Sequence, residues 1–320
     1  MTGSLPVDVQ DVFARFITTE YTTIDAHGHP ITWPVTPYYR AGAGAIDVTT
    51  GIGYPKKALD ARRNPQVSLL FSDPTGCELE NAPMVLVQGV AKVDDADLDA
   101  NRRRYERESL EKLPATKDTA PPEFLKRFFA WYYARVYVYV RPERVFVWPG
   151  GDPTAEPDMH GTHLEEVRSG HVEEPEREPP GPEGGAEAWD ARMDELGERY
   201  PTAVLSFVAP DGFPFSARVP ISVDRAGHRV RIGAAPTGAP MLPGLACLTA
   251  HDHDPEFNWQ RNFQVRGDLV LEDDGWALVP HRLVGGFELP PTSTLARYRL
   301  NLSKIGRFRR KAKQYRPGRA

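Results

Sequence analysis

The sequence predicts a mainly β (α+β) protein built as two small barrels in tandem, with helices at the periphery. Three observations carry this expectation. An acidic, Pro/Gly-rich stretch over 151–188 divides the 320-residue chain into halves of comparable size. The halves share sequence blocks in the same order. Each half consists of short runs rich in β-branched and aromatic residues, separated by turn residues, as small barrels are.

The shared blocks are specific enough to align. Asp25-Ala-His-Gly-His-Pro-Ile-Thr-Trp-Pro-Val35 matches Ala209-Pro-Asp-Gly-Phe-Pro-Phe-Ser-Ala-Arg-Val219, with Gly28 on Gly212 and Pro30 on Pro214 at a spacing of 184. Val67–Asp73 matches Ala246–Asp252 at a spacing of 179, and Val87-Gln-Gly-Val-Ala matches Val265-Arg-Gly-Asp-Leu at 178. Self-similarity of this kind reads as one β unit present twice, the second copy about five residues shorter between the first two anchors.

The elements follow in order. Tyr21–Ile24 and Val204–Val208 are β-rich runs leading into Gly/Pro turns, as in a hairpin. Ile31–Tyr39 returns from the first turn, and Pro34 and Pro37 confine it to an edge or an irregular strand. Ile46–Thr50, Val67–Ser72 and Val85–Val93 are further strands. Val136-Tyr-Val-Tyr-Val140 is apolar on both faces and predicts a strand covered on both sides. A turn at Arg141-Pro-Glu143 then leads to Val145–Trp148. Helices are predicted over Asp97–Leu113 and over Pro122–Tyr133, which has Pro near its start.

Charge is unevenly distributed. The net charge is −5, yet 151–188 holds eleven acidic residues against Arg168 and Arg177, and 303–320 holds eight basic residues and no acid. The acidic stretch, with six Pro and six Gly, reads as an extended linker. The expected domains are therefore 1–150, a linker over 151–188, a second barrel over 189–302 and a basic tail over 303–320. Only Cys77 and Cys247 are present, which excludes a disulfide scaffold and fits a reducing cytoplasm. No run of residues is apolar enough for a membrane span, and the first twenty residues lack the apolar core of a secretory signal. A pI near 6.0 argues against a dedicated nucleic-acid binder, although the basic tail is able to meet phosphates, the acidic linker or an anionic cofactor.

The run Thr22-Thr-Ile-Asp-Ala-His-Gly-His-Pro-Ile-Thr-Trp-Pro-Val-Thr-Pro-Tyr38 resembles the opening hairpin of the pyridoxamine 5'-phosphate oxidase-like split β-barrels. Ile46-Asp-Val-Thr-Thr50, Lys56-Lys57 and Arg62-Arg-Asn-Pro-Gln-Val-Ser-Leu-Leu70 are similar to that family's phosphate-binding segment. Gln88-Gly89 and Arg141-Pro-Glu-Arg-Val-Phe-Val-Trp148 are similar to its later strands. The resemblance covers about residues 10–150 well and 195–290 more weakly. It implies two tandem split β-barrels forming a pseudo-dimer within the chain, with a further homodimer open. It implies FMN, or the deazaflavin coenzyme factor 420, as cofactor, a small-molecule substrate, and hydride transfer to or from it. Deazaflavin-binding members often carry an arginine two residues before the loop lysine; here Pro55 stands there, so both cofactors remain open.

Candidate site residues follow from the chemistry of such a cofactor. A flavin phosphate carries close to two negative charges and needs cations and hydroxyls. Lys57, with Lys56, Thr49 and Thr50, offers them, aided by loop amides and the start of a short helix near Ala58–Arg63. The resemblance places the ring against Trp33, Pro34, Val35 and Thr36, with Gln88 near the ring or ribityl chain. Trp259 and Arg261 are candidates for a wall supplied by the second copy. Its own loop, Gly233–Gly244, has no Lys or Arg and predicts no phosphate site. Tyr38 and Tyr39 are candidate proton donors, and no catalytic residue is assigned. His27, His29, His251 and His253 alternate in pairs, but without a further ligand set no metal site is expected. Two other readings stand beside the oxidoreductase: a non-catalytic flavin-binding or scaffold protein, and a haem-handling barrel using His251 or His253.

Overall fold

The computed structural model describes residues 5–114, 129–161, 189–286 and 305–318. Helix α1 (Val7–Arg15) buries Val9, Val12 and Phe13. It precedes strands β1 (Thr19–Ile24), β2 (Pro30–Val35), β3 (Tyr38–Tyr39) and β4 (Ile46–Gly51). Helix α2 (Lys56–Arg63), strands β5 (Gln66–Phe71) and β6 (Met84–Asp94), and helix α3 (Leu98–Lys112) follow. A short helix α4 (Ala130–Tyr133), strand β7 (Arg135–Trp148) and strand β8 (Asp158–Gly161) complete the first half. Asp97 caps α3 by accepting from the Ala100 amide, as its position before the helix predicts.

The first sheet runs β2-β1-β5-β6-β7-β4-β3, with β8 paired to β7. β2 and β3 stand at opposite ends of that order, yet only Thr36 and Pro37 separate them in the chain. The sheet therefore curls into a half-barrel around a core that includes Phe13, Ile46, Val48, Leu69, Val87 and Val138. Pro34 sits on the edge strand, as its missing N–H requires.

The second half starts with α5 (Ala191–Arg199), followed by β9 (Thr202–Val208), β10 (Pro214–Asp224), β11 (Arg229–Ile232), β12 (Gly244–His253), β13 (Gln260–Glu272) and β14 (Gly275–Gly285). These six strands close into a barrel in the order β10-β11-β14-β13-β12-β9. With β9 read for β1, β10 for β2–β3, β11 for β4, and β12, β13 and β14 for β5, β6 and β7, the two strand orders coincide. The fold is thus mainly β, two small barrels with peripheral helices, joined as a pseudo-dimer.

One shared irregularity corrects the sequence reading. Arg141-Pro-Glu143 is not a turn: β7 runs straight through it. The ladder slips between Gln88 and Gly89, and Pro142 pairs opposite Gly89, where the bulge relieves the ladder of a donor that proline lacks. The second barrel repeats the device, slipping between Arg266 and Gly267 with Pro280 opposite Gly267. A Cβ on Gly89 would collide with the Arg141 carbonyl oxygen, and one on Gly267 with that of Val279.

The halves meet along a polar seam. Thr22, Thr32, Ser206 and Ser216 are all fully buried. Their hydroxyls form a closed ring: Thr22–Thr32 2.9 Å, Thr32–Ser206 2.7 Å, Ser206–Ser216 2.8 Å and Ser216–Thr22 2.9 Å. Thr22 and Ser206 are 184 residues apart, as are Thr32 and Ser216, so the ring surrounds the local two-fold relation between the halves. Its neighbour along the seam is a buried ionic cluster. Glu20 accepts from Ser72 at 2.9 Å and Arg218 at 2.9 Å, and His251 lies 2.7 Å away.

Two segments differ from expectation. Residues 158–161, assigned to the linker, add β8 to the first sheet; 162–188 lie outside the described residues. Part of the basic tail is a helix, α6, over 305–314. Ile305 is buried, the Phe308 ring stacks on Trp131 at 5.3 Å, and the Tyr315 hydroxyl reaches Asp95 at 2.5 Å. Of the predicted helix Pro122–Tyr133, only the last five residues are described, four of them in α4. No helix among the described residues is long and apolar enough to cross a membrane.

Candidate functional site

β4 alternates, with Ile46 and Val48 facing the core and Asp47 and Thr49 facing outward. It ends at Gly51, and a tight turn then starts α2 at Pro55. That helix start is unusual. Pro55 offers no side-chain cap, the first turn holds no acid, and Lys56 and Lys57 occupy it. A helix N-terminus carries roughly half a positive charge, so lysines there are unfavourable on their own. Lys56 is offset by Asp60 at 3.0 Å and Asp25 at 3.5 Å.

Lys57 has no such partner among the described residues. Its ammonium lies 5.7 Å from the centre of the Tyr54 ring. Burial, and then the nearby Arg135 guanidinium, lower its pKa from 10.5 to about 8. Arg135 opens β7 and is itself 5% exposed. Its guanidinium lies 3.8 Å from the Tyr105 ring and 4.2 Å from the Tyr132 ring, and it donates to the Tyr54 hydroxyl at 3.1 Å. Its Nε is buried without a partner, and no carboxylate pairs with it among the described residues. Buried polar atoms are normally satisfied, and a buried charge without a counter-charge is costly. Two adjacent cations beside an uncapped helix start therefore leave positive charge that an anion would offset.

The loop's backbone donors are not available for that anion, contrary to expectation. Ile52 N donates to Ala134 O at 3.1 Å, Gly53 N to Trp131 O at 2.9 Å and Tyr54 N to Gly51 O at 3.0 Å. α4 lies so close that a Cβ on Gly51 would stand 2.6 Å from Trp131 O, which explains the glycine. Thr50 is also spent, donating to Tyr54 O at 2.9 Å, and Thr49 faces outward opposite Tyr137.

The other predicted residues are only partly gathered. Trp33, Pro34 and Thr36 are half-buried at the seam edge of the half-barrel, whereas Val35 packs in its core. Gln88 donates to Pro214 O at 3.0 Å, tying the halves together. Trp259 and Arg261 are not brought to Lys57. Arg261 pairs with Glu195 at 2.5 Å, and the Trp259 amide donates to Asp254 at 3.0 Å. Their hairpin packs near the start of β1, where Thr18 meets His253 at 3.2 Å; Lys56 meets Asp25 just past its end. The six residues of β1 separate those points by about 20 Å.

His251 and His253 are buried in the seam cluster with Glu20, Asp73 and Thr18. Neither these side chains nor any other group of three or more His, Cys, Asp or Glu among the described residues is placed so as to hold a metal ion. Tyr38 is buried, and burial pushes its hydroxyl well above the usual range; the Tyr39 hydroxyl donates to Gln10 at 3.2 Å. Sequence reasoning missed Arg135, Tyr54, Tyr105 and Tyr132. The available signal was an arginine opening an otherwise apolar strand, Arg135-Val-Tyr-Val-Tyr-Val140.

No family model and no curated protein matches the sequence. Solved structures similar to parts of the chain include a conserved hypothetical protein, Rv2991, from Mycobacterium tuberculosis, at 20% identity over 46% of this chain and 86% of that one, TM-score 0.35. A putative pyridoxamine 5'-phosphate oxidase from Listeria innocua is similar at 15% identity over 44% and 98%, TM-score 0.32. An F420 reductase is similar at 17% identity over 42% and 94%, TM-score 0.31. Each covers about half of this chain and most of its own.

Proposed function

We propose that this chain is an oxidoreductase that binds one phosphate-bearing flavin, FMN or its deazaflavin counterpart, with the phosphate end at the first turn of α2. The observation that supports this reading is the pair of half-buried Lys57 and buried Arg135, adjacent and without a carboxylate among the described residues at an uncapped helix start. A dianionic phosphate supplies the missing counter-charge to both cations and to the helix dipole at once. The half-buried side chains of Trp33, Pro34 and Thr36 offer a partly apolar surface for a flat ring at the seam. The cofactor, when bound, supplies hydride transfer to or from a small organic substrate. The protein's part is to fix the phosphate, orient the ring and keep water from it.

In this reading the two halves are copies of one unit, and the second serves as the partner wall. The loop between β11 and β12, Gly233–Gly244, contains no Lys or Arg, so one site per chain is expected. A second reading, a binding or scaffold protein without turnover, is favoured by one observation: Trp131 and Phe308 pack directly over the phosphate loop.

Titration of the purified chain with FMN and with the deazaflavin coenzyme, followed by visible absorbance and fluorescence, tests the proposal. Saturable binding of one of them, lost in Lys57→Met, is the expected result. No binding of either removes the proposal. Binding without turnover of any reductant or substrate supports the scaffold reading.

A further inference from the structure

A second anionic site is written into the opposite end of β4. Between α3 and the loop over 40–45 lies a cleft of about 540 Å³, lined by Arg40, Lys92, Arg104, Arg107, Asp47 and Tyr139 among others. It shares Arg40, Asp47 and Arg104 with a smaller cleft of about 190 Å³ beside Lys112. The larger volume is within the range of small-molecule sites. Four cations therefore face one carboxylate, in a protein whose net charge is −5.

The ion pairs do not neutralise this surplus. Asp47 is taken by Arg104, which also reaches Glu108 at 2.9 Å and lies 4.1 Å over the Tyr137 ring. Arg40 also pairs with Glu108, at 2.8 Å, yet its side chain stays 65% exposed. Lys92 and Arg107 are exposed and make no ion pair or hydrogen bond among the described residues. Lys92 sits directly beside Tyr139 in the β6–β7 register. The Tyr139 hydroxyl is held by Asp94 at 2.9 Å. Beyond Arg40, the loop Arg40-Ala-Gly-Ala-Gly-Ala45 brings only small residues to the cleft, and Gly42 and Gly44 adopt φ of 80° and 70° with open space about them.

We propose that this cleft binds a small polyanion of the diphosphate class, held by Arg40, Lys92 and Arg107. Guanidinium forks take phosphate oxygens two at a time, and an ammonium adds a compact charge, so three cations at one rim match a ligand of two linked phosphates. Asp47 and Glu108 hold Arg104 back from the ligand and keep it on the tyrosine floor. This site is separate from the α2 site: it adjoins Ala45 and Asp47, whereas α2 follows Gly51, and the six residues of β4 span about 20 Å.

Isothermal titration of the full chain with inorganic pyrophosphate at low ionic strength tests the proposal. Saturable binding is expected, weakened at least about tenfold in the double variant Lys92→Ala/Arg107→Ala, as loss of two charge-assisted contacts requires. Both side chains are exposed and unpaired, so the variant keeps the thermal midpoint of the parent. Lys57→Met leaves pyrophosphate affinity at this site unchanged, which separates it from the flavin proposal. Absence of pyrophosphate binding overturns the inference. So does binding that survives the double variant, or binding that disappears with Lys57→Met alone.

Discussion

Replacing Lys57 by methionine makes the ligand-free protein more stable. The ammonium sits at the positive end of α2, beside Arg135, without a carboxylate among the described residues. A pKa lowered from 10.5 to about 8 corresponds, at about 1.4 kcal/mol per pH unit, to a penalty of about 3 kcal/mol for carrying the charge. Because the side chain is partly in solvent, screening reduces the realised penalty to about 1–2 kcal/mol. Methionine keeps most of the aliphatic stem and removes the charge. At pH 7 the expected gain is a rise in thermal midpoint of about 2–6 °C. The pH dependence follows from the sign of the shift. Between pH 8 and 10.5 the unfolded chain holds this proton and the folded chain has shed it, so wild-type stability rises through the group across that window. The advantage of the variant is therefore largest below pH 8 and narrows above it. Lys112, also lowered to about 8 by burial, is present in both proteins and cancels in the difference. Thermal unfolding followed by tryptophan fluorescence at pH 7 and pH 9 reads both effects. A variant that is less stable at pH 7, or a gap that fails to narrow at pH 9, refutes the argument.

Other substitutions probe the seam and the bulges. Glu20→Gln strands Arg218 and His251 in a buried cluster and costs about 3–5 kcal/mol, measured by urea unfolding at neutral pH. Burial pushes the Glu20 carboxyl up, but His251 and Arg218 outweigh it and hold the pKa below 4.5, so its stabilisation is present above pH 4.5 and is lost as pH falls through the lower folded value. The Glu20→Gln variant lacks that acid-induced loss in a pH series of unfolding midpoints. Ser206→Ala opens the hydroxyl ring and leaves buried neighbours short of a partner, at about 1–3 kcal/mol in the same assay. Gly89→Ala and Gly267→Ala each drive a methyl into a backbone carbonyl and cost more than about 2 kcal/mol, with lowered soluble yield as the first sign.

Strands were legible because their residues alternate or are β-branched, and because the second copy repeated them. Pro34 on an edge strand followed from the same runs, whereas the strand order did not, because pairing between distant runs is not written in any one of them. β7 was misread as two strands because Arg-Pro-Glu is turn-like in isolation; only the partner strand reveals the bulge at Gly89 that accommodates Pro142. The seam hydroxyls Thr22, Thr32, Ser206 and Ser216 look like a solvent-facing alternation, since a run of residues does not say which face another domain covers. Lys57 is singled out by its loop. Arg135 is not, because its surroundings depend on three tyrosines, Tyr54, Tyr105 and Tyr132, that lie far apart along the chain. The loop amides were over-credited, since nothing local predicts that α4 would take them.

The four-hydroxyl ring has a consequence for how the halves recognise each other. Short alcohols carry no shape that fits only one mate, and each half brings two of them to the axis, threonines from the first and serines from the second. At the ring alone, a severed first half would meet its own duplicate with the same number of hydroxyls, but beside it Glu20 would lack the Arg218 and His251 that the second half supplies. Covalent connection adds to that preference, because a tethered mate is present at an effective concentration of millimolar order that a free one cannot match. Loyalty between the halves is thus kept by the peptide chain and the ionic cluster, while the ring itself is indiscriminate.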